Sequence, residues 1–144
     1  MTATVDANIL LYASDADSPL HARAAAFVER LAQGPELLYL FWPTIVAYVR
    51  LATHPAIFSN PLTLAEALGN VEQLVTRAHV QSPGEQPGFW RRLRSVVTEA
   101  RAIGNLVSDA HLVALMQENG VRIIWTHDRD FRRFDGIEVR DPFA

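Results

Sequence analysis

The sequence predicts an α/β fold in which a short, mostly parallel central sheet lies between two layers of helices. Short β-prone runs alternate with helical patterns along the chain, and parallel neighbours in a sheet need such crossover connections. A length of 144 residues suits one domain, and 49% hydrophobic with 20% charged residues is a globular composition. We therefore expect residues 1–144 to form a single three-layer α/β/α domain.

The first half of the chain supplies two strands and four helices. Ser18 and Pro19 resemble an N-cap and first-turn pair, and Gly34 with Pro35 ends the helix that follows. The predicted elements are a strand at Thr2–Val5, a helix from Ile9, a helix over 19–32, a strand at Leu37–Phe41, a helix from Pro43 to Leu51, a loop over 53–61 and a helix from Thr63 to Val75.

The second half begins with the broken segment 82–88, which is short enough for a surface loop. Its predicted elements are an amphipathic helix over 89–100, a helix over about 106–119 stopped by Asn119-Gly120, a strand at Val121–Trp125, a short helix around Phe131 and an edge strand near Ile137–Val139.

Composition excludes several functional classes. Cysteine is absent, which removes disulfides, thiolate metal sites and cysteine nucleophiles. All 13 basic residues are arginine, so no lysine is present for a Schiff base or a P-loop. The first residues resemble no signal peptide, and no apolar run is long enough to span a membrane. We expect a cytoplasmic protein without a membrane partner.

Three aspartates are candidates for chemistry. Asp6 and Asp128 follow predicted strands, so both belong at the carboxyl edge of the sheet, where ligands gather in such folds. Asp109 shares a helical stripe with Asn105 and the apolar Leu112, where a charge needs the free N–H groups of a first turn, a cation or a metal. Oxygen ligands without cysteine or paired histidines suit Mg²⁺ or Mn²⁺, which favours phosphate chemistry.

Each aspartate also has a purely structural interpretation. Asp6 is a possible helix N-cap, and Asp109 a possible partner of a helix dipole. Asp128 is a possible cap that pairs with Arg129 or Arg132. Three exposed arginines of the basic segment 77–105, which carries five arginines and two glutamates, suit either an RNA backbone or a solvated surface. They are Arg91, Arg94 and Arg101.

Four segments together resemble the PIN-domain family, in particular the VapC-type toxins of bacterial toxin–antitoxin pairs. They are DANILLYA at 6–13, YVRLATHPAIFSNPLTLAEAL at 48–68, GNLVSDAHLVALM at 104–116 and THDRDFRRFDGIEVRDP at 126–142. The second segment is similar to a subgroup with a Thr-His-Pro motif. The resemblance implies a Mg²⁺- or Mn²⁺-dependent endoribonuclease that cleaves structured RNA such as tRNA or ribosomal RNA, forms a homodimer and is neutralised by a VapB-type antitoxin.

The family's catalytic aspartates fall on Asp6, Asp109 and Asp128, and Asp130 matches a further acid that could ligate the metal. Polar side chains that would support these ligands fall on Asn8, Asn105 and Thr126.

One departure from the family pattern concerns the third helix, where most members have a glutamate. The chain has no acid between Glu36 and Glu66, and Ala47 or Tyr48 stands near the expected position. We expect weaker metal binding, with Asp130 or, less directly, Glu66 as compensation. The alternative is a weakened domain that only binds its antitoxin or RNA. A phosphatase or receiver-like enzyme ranks last, because Asp6 lacks a second aspartate two residues later and lysine is absent.

Overall fold

The computed structural model describes all residues 1–144 as five strands, six α-helices and one short 3-10 helix. In chain order they are β1 (Ala3–Val5), α1 (Ala7–Ser14), α2 (His21–Gln33), β2 (Leu38–Tyr39), α3 (Trp42–Ala52), α4 (Leu64–Val75), β3 (Val80–Gln81), α5 (Phe89–Ala100), α6 (Asn105–Glu118), β4 (Ile123–Trp125), the 3-10 helix (Arg129–Arg133) and β5 (Glu138–Arg140).

The five strands form one sheet in the order β3-β2-β1-β4-β5, and every neighbouring pair is parallel. The predicted α/β class is confirmed, and the sheet is parallel throughout rather than mostly. β3 was not predicted, because two residues, Val80 and Gln81, are too few to show a periodic pattern. The strand order places β1 at the centre, between β2 and β4.

Apolar side chains divide into two layers on either side of the sheet, which confirms the three-layer arrangement. One layer lies between the sheet and α1 to α4 and includes Val5, Leu38 and Leu40. The other lies between the sheet and α5 to α6 and includes Phe41 and Ile124. This division follows from the alternation of side chains along a strand.

Helix starts agree with the sequence in one case and differ in another. Thr63 caps α4 with a reciprocal capping box, in which its hydroxyl accepts from Glu66 N at 3.1 Å. The expected cap at Ser18 is wrong, since α2 begins at His21. The Ser18 hydroxyl accepts from Leu20 N at 3.1 Å, in a turn that precedes the helix. None of the helices is both long and apolar enough to cross a bilayer.

Candidate active site

Asp6 and Thr126 stand side by side at the carboxyl edge of the sheet. β1 and β4 are parallel neighbours in which Val5 pairs with Trp125, so the residues that follow emerge together. The backbone N–H of Asp6 donates to Trp125 O at 2.9 Å, and Thr126 Oγ1 donates to Asp6 Oδ2 at 2.8 Å. Asp6 occupies the N-cap position of α1, but its side chain makes no capping hydrogen bond. Asp6 is therefore the N-cap residue by position, as the structural interpretation has it, and its side chain is held by Thr126.

The Thr126 hydroxyl connects the first strand to the loop after the fourth. Thr126 is only 1% exposed, and its Oγ1 also accepts from Asp128 N at 2.9 Å and from Asn8 Nδ2 at 3.4 Å. One hydroxyl thus fixes the carboxylate of Asp6 and the backbone of Asp128. Asn8 Oδ1 is buried without a hydrogen-bond donor. An unpartnered oxygen of this kind is uncommon in a folded protein, and Asn8 Oδ1 can accept a further hydrogen bond or ligate a cation.

Asp109 lies on α6 beyond the reach of the free N–H groups at the helix start. The helix begins at Asn105, which makes Asp109 its fifth residue, and no acid lies in the first turn. The dipole interpretation of Asp109 is therefore wrong, because that effect falls off within the first turn. The neighbouring Leu112 and Val113 are buried in the core. A carboxylate at the border of this apolar stripe is unfavourable in its charged form unless a proton or a cation neutralises it.

Asp109, Asp128 and Asp130 converge on one point. Each offers one carboxylate oxygen, and these oxygens all lie within 4.8 Å of one another. The side chain of Asp128 also accepts from Asp130 N at 2.9 Å and so caps the 3-10 helix. Its capping interpretation is correct and coexists with the cluster, but no ion pair forms with Arg129 or Arg132.

The crowding of negative charge shifts the ionisation of the cluster. Burial, followed by the charges of Asp6, Asp128 and Asp130, raises the pKa of Asp109 to about 7, and no hydrogen bond offsets these effects. Burial also raises the pKa of Asp6 above its ordinary value, with a smaller contribution from the charge of Asp128, while the Thr126 hydrogen bond opposes the rise. Without a proton or a cation, the ionised cluster is self-repelling.

The residues present fit a hard divalent cation. All the candidate donors are oxygens, and none of the protein's ion pairs brings an arginine to the four aspartates. The unpartnered Asn8 Oδ1 lies in the same hydrogen-bonded group as Thr126 and Asp6. Asp109, Asp128 and Asp130 are therefore the residues that would hold such an ion. Asp6 lies outside this group of oxygens but near enough for its charge to raise the pKa of Asp109.

Two residues considered from the sequence, Tyr48 and Glu66, make other contacts, and Ala47 has no side chain that could bind a metal. Tyr48 is buried, and its hydroxyl contacts Ser14 Oγ at 2.7 Å and accepts from Asn70 Nδ2 at 2.9 Å. Ala47, the residue before it on α3, is half-buried. Glu66 Oε1 accepts from Thr63 N at 2.9 Å in the capping box. The expectation that Glu66 compensates for the missing glutamate is therefore wrong.

The remaining predicted polar residues are exposed. Asn105 is the first residue of α6, one turn before Asp109, and makes no hydrogen bond with the carboxylates. Arg91 and Arg94 are exposed on α5, and Arg101 follows its last residue. Arg91 lines the same surface pocket as Gln117 near the end of α6, about 12 Å along the helix from Asp109. Arg101, four residues before α6 begins, lies at the end nearer the cluster.

A pair that the sequence did not predict lies beside the cluster. His127 Nδ1 and Asp141 Oδ2 are 2.8 Å apart, and His127 is the residue directly before Asp128. The spacing of these residues in the sequence does not indicate the contact. It arises because β5 pairs with β4 in parallel, with Arg140 opposite Trp125, so that Asp141 and His127 both follow strand ends at the same edge.

Comparison with known proteins shows the family to which this chain belongs. The family model of the PIN domain matches residues 3–137. Ribonuclease VapC48 of Mycobacterium tuberculosis is 47% identical over 144 residues, which cover 100% of this chain and 99% of the relative. This chain belongs to the PIN-domain family, in its VapC ribonuclease branch. Ribonuclease VapC43 of the same organism is 33% identical over 140 residues, which cover 96% and 93% of the two chains.

Solved structures agree with the PIN-domain fold. M. tuberculosis VapC20, described as a sarcin–ricin loop cleaving toxin, superposes with a TM-score of 0.70 at 15% identity and covers 96% of this chain and 98% of its own. VapBC2 from Rickettsia felis, bound to a promoter DNA fragment, superposes with a TM-score of 0.68 at 12% identity, with 98% of both chains covered. At these identities the likeness concerns the fold alone.

Proposed function

We propose that this PIN-domain protein is a metal-dependent endoribonuclease toxin that hydrolyses phosphodiester bonds of structured cellular RNA, such as tRNA or ribosomal RNA. The observation that carries the proposal is the convergence of Asp109, Asp128 and Asp130 within 4.8 Å, with no arginine paired to them. The 47% identity to a protein named as a ribonuclease supports the same reaction class.

The chain's own residues have distinct parts in this reaction. Asp6, Asp109 and Asp128 would hold Mg²⁺ or Mn²⁺, with Asp130 as a further ligand, either directly or through water. Such an ion supplies Lewis-acid polarisation of a phosphoryl oxygen and neutralises charge that develops there. Thr126 keeps Asp6 and the backbone of Asp128 in register through its bonds of 2.8 and 2.9 Å. Asn8, two residues after Asp6, and Asn105, one helical turn before Asp109, would orient water or substrate around these ligands.

RNA would approach from the carboxyl edge of the sheet, where the aspartates lie. Arg91, Arg94 and Arg101 are exposed and form no ion pair, so their guanidinium groups are available to phosphates. Arg101 lies nearer the cluster than Arg91 and should contribute more to binding near the scissile bond. Local arginines can hold RNA even though the formal net charge of the chain is −3.

The proposed partners are a VapB-type antitoxin and a second copy of the chain. Several structures with the same fold, including that from nontypeable Haemophilus influenzae, are described as VapBC assemblies. An antitoxin that covers the aspartates would block access of RNA. We place the toxin, its RNA and its antitoxin in the cytoplasm.

A second function is favoured by one observation, the absence of a carboxylate on α3. Ala47 cannot ligate a metal, and Tyr48 is buried against Ser14 and Asn70. A domain with reduced metal affinity could serve as a module that binds its antitoxin or RNA without cleaving it. The two functions differ in a single measurable property, which is metal-dependent strand scission.

The test is cleavage of purified tRNA and ribosomal RNA by the antitoxin-free protein in Mg²⁺ or Mn²⁺, with mapping of the cut ends. EDTA and the Asp6→Asn variant should abolish the cuts. Asp135→Asn is the matched control, because Asp135 is exposed and lies outside the cluster. Intact RNA with a folded wild-type protein in both metals would favour the binding module instead.

A further inference from the structure

We propose that residues 141–143, the Asp141 turn, position the loop that carries Asp128 and Asp130. The catalytic significance of this role rests on the proposed function, since that function makes the two aspartates metal ligands. Asp141, Phe143, His127 and Arg23 would then be positioning residues, which act on the site through the backbone of the loop rather than by touching substrate.

Asp141 is the centre of the contact. Its Oδ2 lies 2.8 Å from Nδ1 of His127, and its Oδ1 accepts from the backbone N–H of Phe143 at 2.8 Å. One carboxylate therefore closes its own turn and at the same time holds the side chain directly before Asp128. The backbone of the preceding residue joins the loop as well, because Arg140 O accepts from Thr126 N at 2.9 Å.

Aromatic packing and an arginine fix the turn to the rest of the domain. The ring of Phe143 is 5.3 Å from that of His127 and 6.0 Å from that of Tyr12 on α1, both edge-on. Tyr12 also meets the His127 ring at 6.0 Å. Arg23 on α2 donates to Phe143 O at 2.7 Å and places its guanidinium 5.5 Å from the Phe143 ring centroid. The turn thus connects α1 and α2 with the loop after β4.

The loop needs an outer restraint because its carboxylates repel each other. Asp109, Asp128 and Asp130 lie within 4.8 Å, so the loop would relax away from α6 when no cation is present. From inside, the loop is held by the Thr126 hydroxyl, which accepts from Asp128 N. On its outer side, the Asp141 turn contacts the loop through the side chain of His127, which meets Asp141 Oδ2 and the Phe143 ring. Removing the outer contact should therefore loosen residues 127–130 while the sheet stays intact.

The experiment compares Asp141→Ala, Asp141→Asn and Arg23→Gln with the wild type and with Glu138→Ala. Glu138 is the matched control, because it is an exposed carboxylate on the same chain segment that pairs with Arg140 at 2.7 Å and does not contact the loop. The first readout is hydrogen exchange of the metal-free proteins. Asp141→Ala should speed exchange at the amides of Asp128 and Asp130 by about tenfold, while β1 keeps its protection.

The second readout is Mn²⁺ affinity from the electron paramagnetic resonance signal of free Mn²⁺. Asp141→Ala should weaken binding about tenfold, in line with other groups that orient metal ligands. Asp141→Asn keeps one acceptor oxygen and should fall between Asp141→Ala and the wild type. Arg23→Gln changes an exposed position and should give a smaller effect of the same sign, even where Asp141→Ala does not fold.

Unchanged exchange at residues 127–130 in Asp141→Ala would overturn the proposal, as would faster exchange that is equal throughout the sheet. An effect of Glu138→Ala as large as that of Asp141→Ala would also overturn it. A wild-type protein that binds no Mn²⁺ would contradict the proposed function, whereas the exchange measurement would still decide the role of the turn.

Discussion

Replacing Asp109 by asparagine should stabilise the metal-free protein at neutral and alkaline pH. The surroundings of Asp109 oppose its charge, since burial and three nearby carboxylates raise its pKa to about 7 from an ordinary value of 3.8. Asparagine keeps the shape of the side chain and removes the charge. Because no hydrogen bond offsets the shift, the substitution sacrifices no favourable contact of the carboxylate.

The sign and size of the effect follow from proton linkage. The folded protein binds the Asp109 proton more tightly than the unfolded chain, so this group lowers the free energy of unfolding as pH rises from about 4 to 7. A pKa of about 7 against 3.8 corresponds to about 4 kcal/mol above pH 7. Solvent screening of the partly exposed carboxylate reduces the expected gain to about 2 kcal/mol.

The assay is urea unfolding of wild type and Asp109→Asn in EDTA at several pH values between 4 and 8. The two proteins should be nearly equal at pH 4, and the variant should be about 2 kcal/mol more stable at pH 8. Asp135→Asn is the control and should show no such trend. Mn²⁺ should reverse the order, because the ion stabilises the wild type by binding its folded state. A difference that is absent, independent of pH or opposite in sign would refute the reasoning.

Three further substitutions test other parts of the site and the core. Thr126→Val should lower the free energy of unfolding by about 2–3 kcal/mol in urea titrations, because Asp6 loses a donor and the Asp128 amide an acceptor, whereas Thr126→Ser should be close to wild type. Ala47→Glu adds a carboxylate on α3 and should raise Mn²⁺ affinity in isothermal titration; unchanged affinity would argue against Ala47 as the position of the missing ligand. Phe131→Ala should cost about 3–5 kcal/mol in thermal or urea unfolding, because Phe131 is only 1% exposed; a smaller loss would show that the 3-10 helix collapses onto the gap.

The fold was largely predictable because its signals are local. Alternating strand and helix patterns identify β1, β2, β4, the edge strand β5 and the six helices, and Thr63 with Glu66 forms a capping box that the sequence shows in part. β3 was missed because two residues carry no period. The start of α2 was misplaced, because Ser18 bonds Leu20 in a turn and this local alternative competes with a true cap.

The site was predictable where it depends on strand ends and less so where it depends on distant contacts. Asp6 follows β1 directly and Asp128 lies three residues after the end of β4, so parallel pairing is enough to bring them to one edge. The position of Asp109 within α6 depends on where that helix begins, which sequence patterns give only within a residue or two. The contact of Arg23 with Phe143 joins residues 120 apart in the chain, and no local pattern indicates it.

Anomalous diffraction from crystals soaked in Mn²⁺ tests the central claim most directly. The account predicts a manganese peak between the carboxylates of Asp109 and Asp128, within reach of Asp6, and no such peak in Asp109→Asn crystals. Saturating Mn²⁺ that leaves this position without a peak, or that gives peaks only elsewhere on the surface, would contradict a metal-dependent nuclease site in this protein.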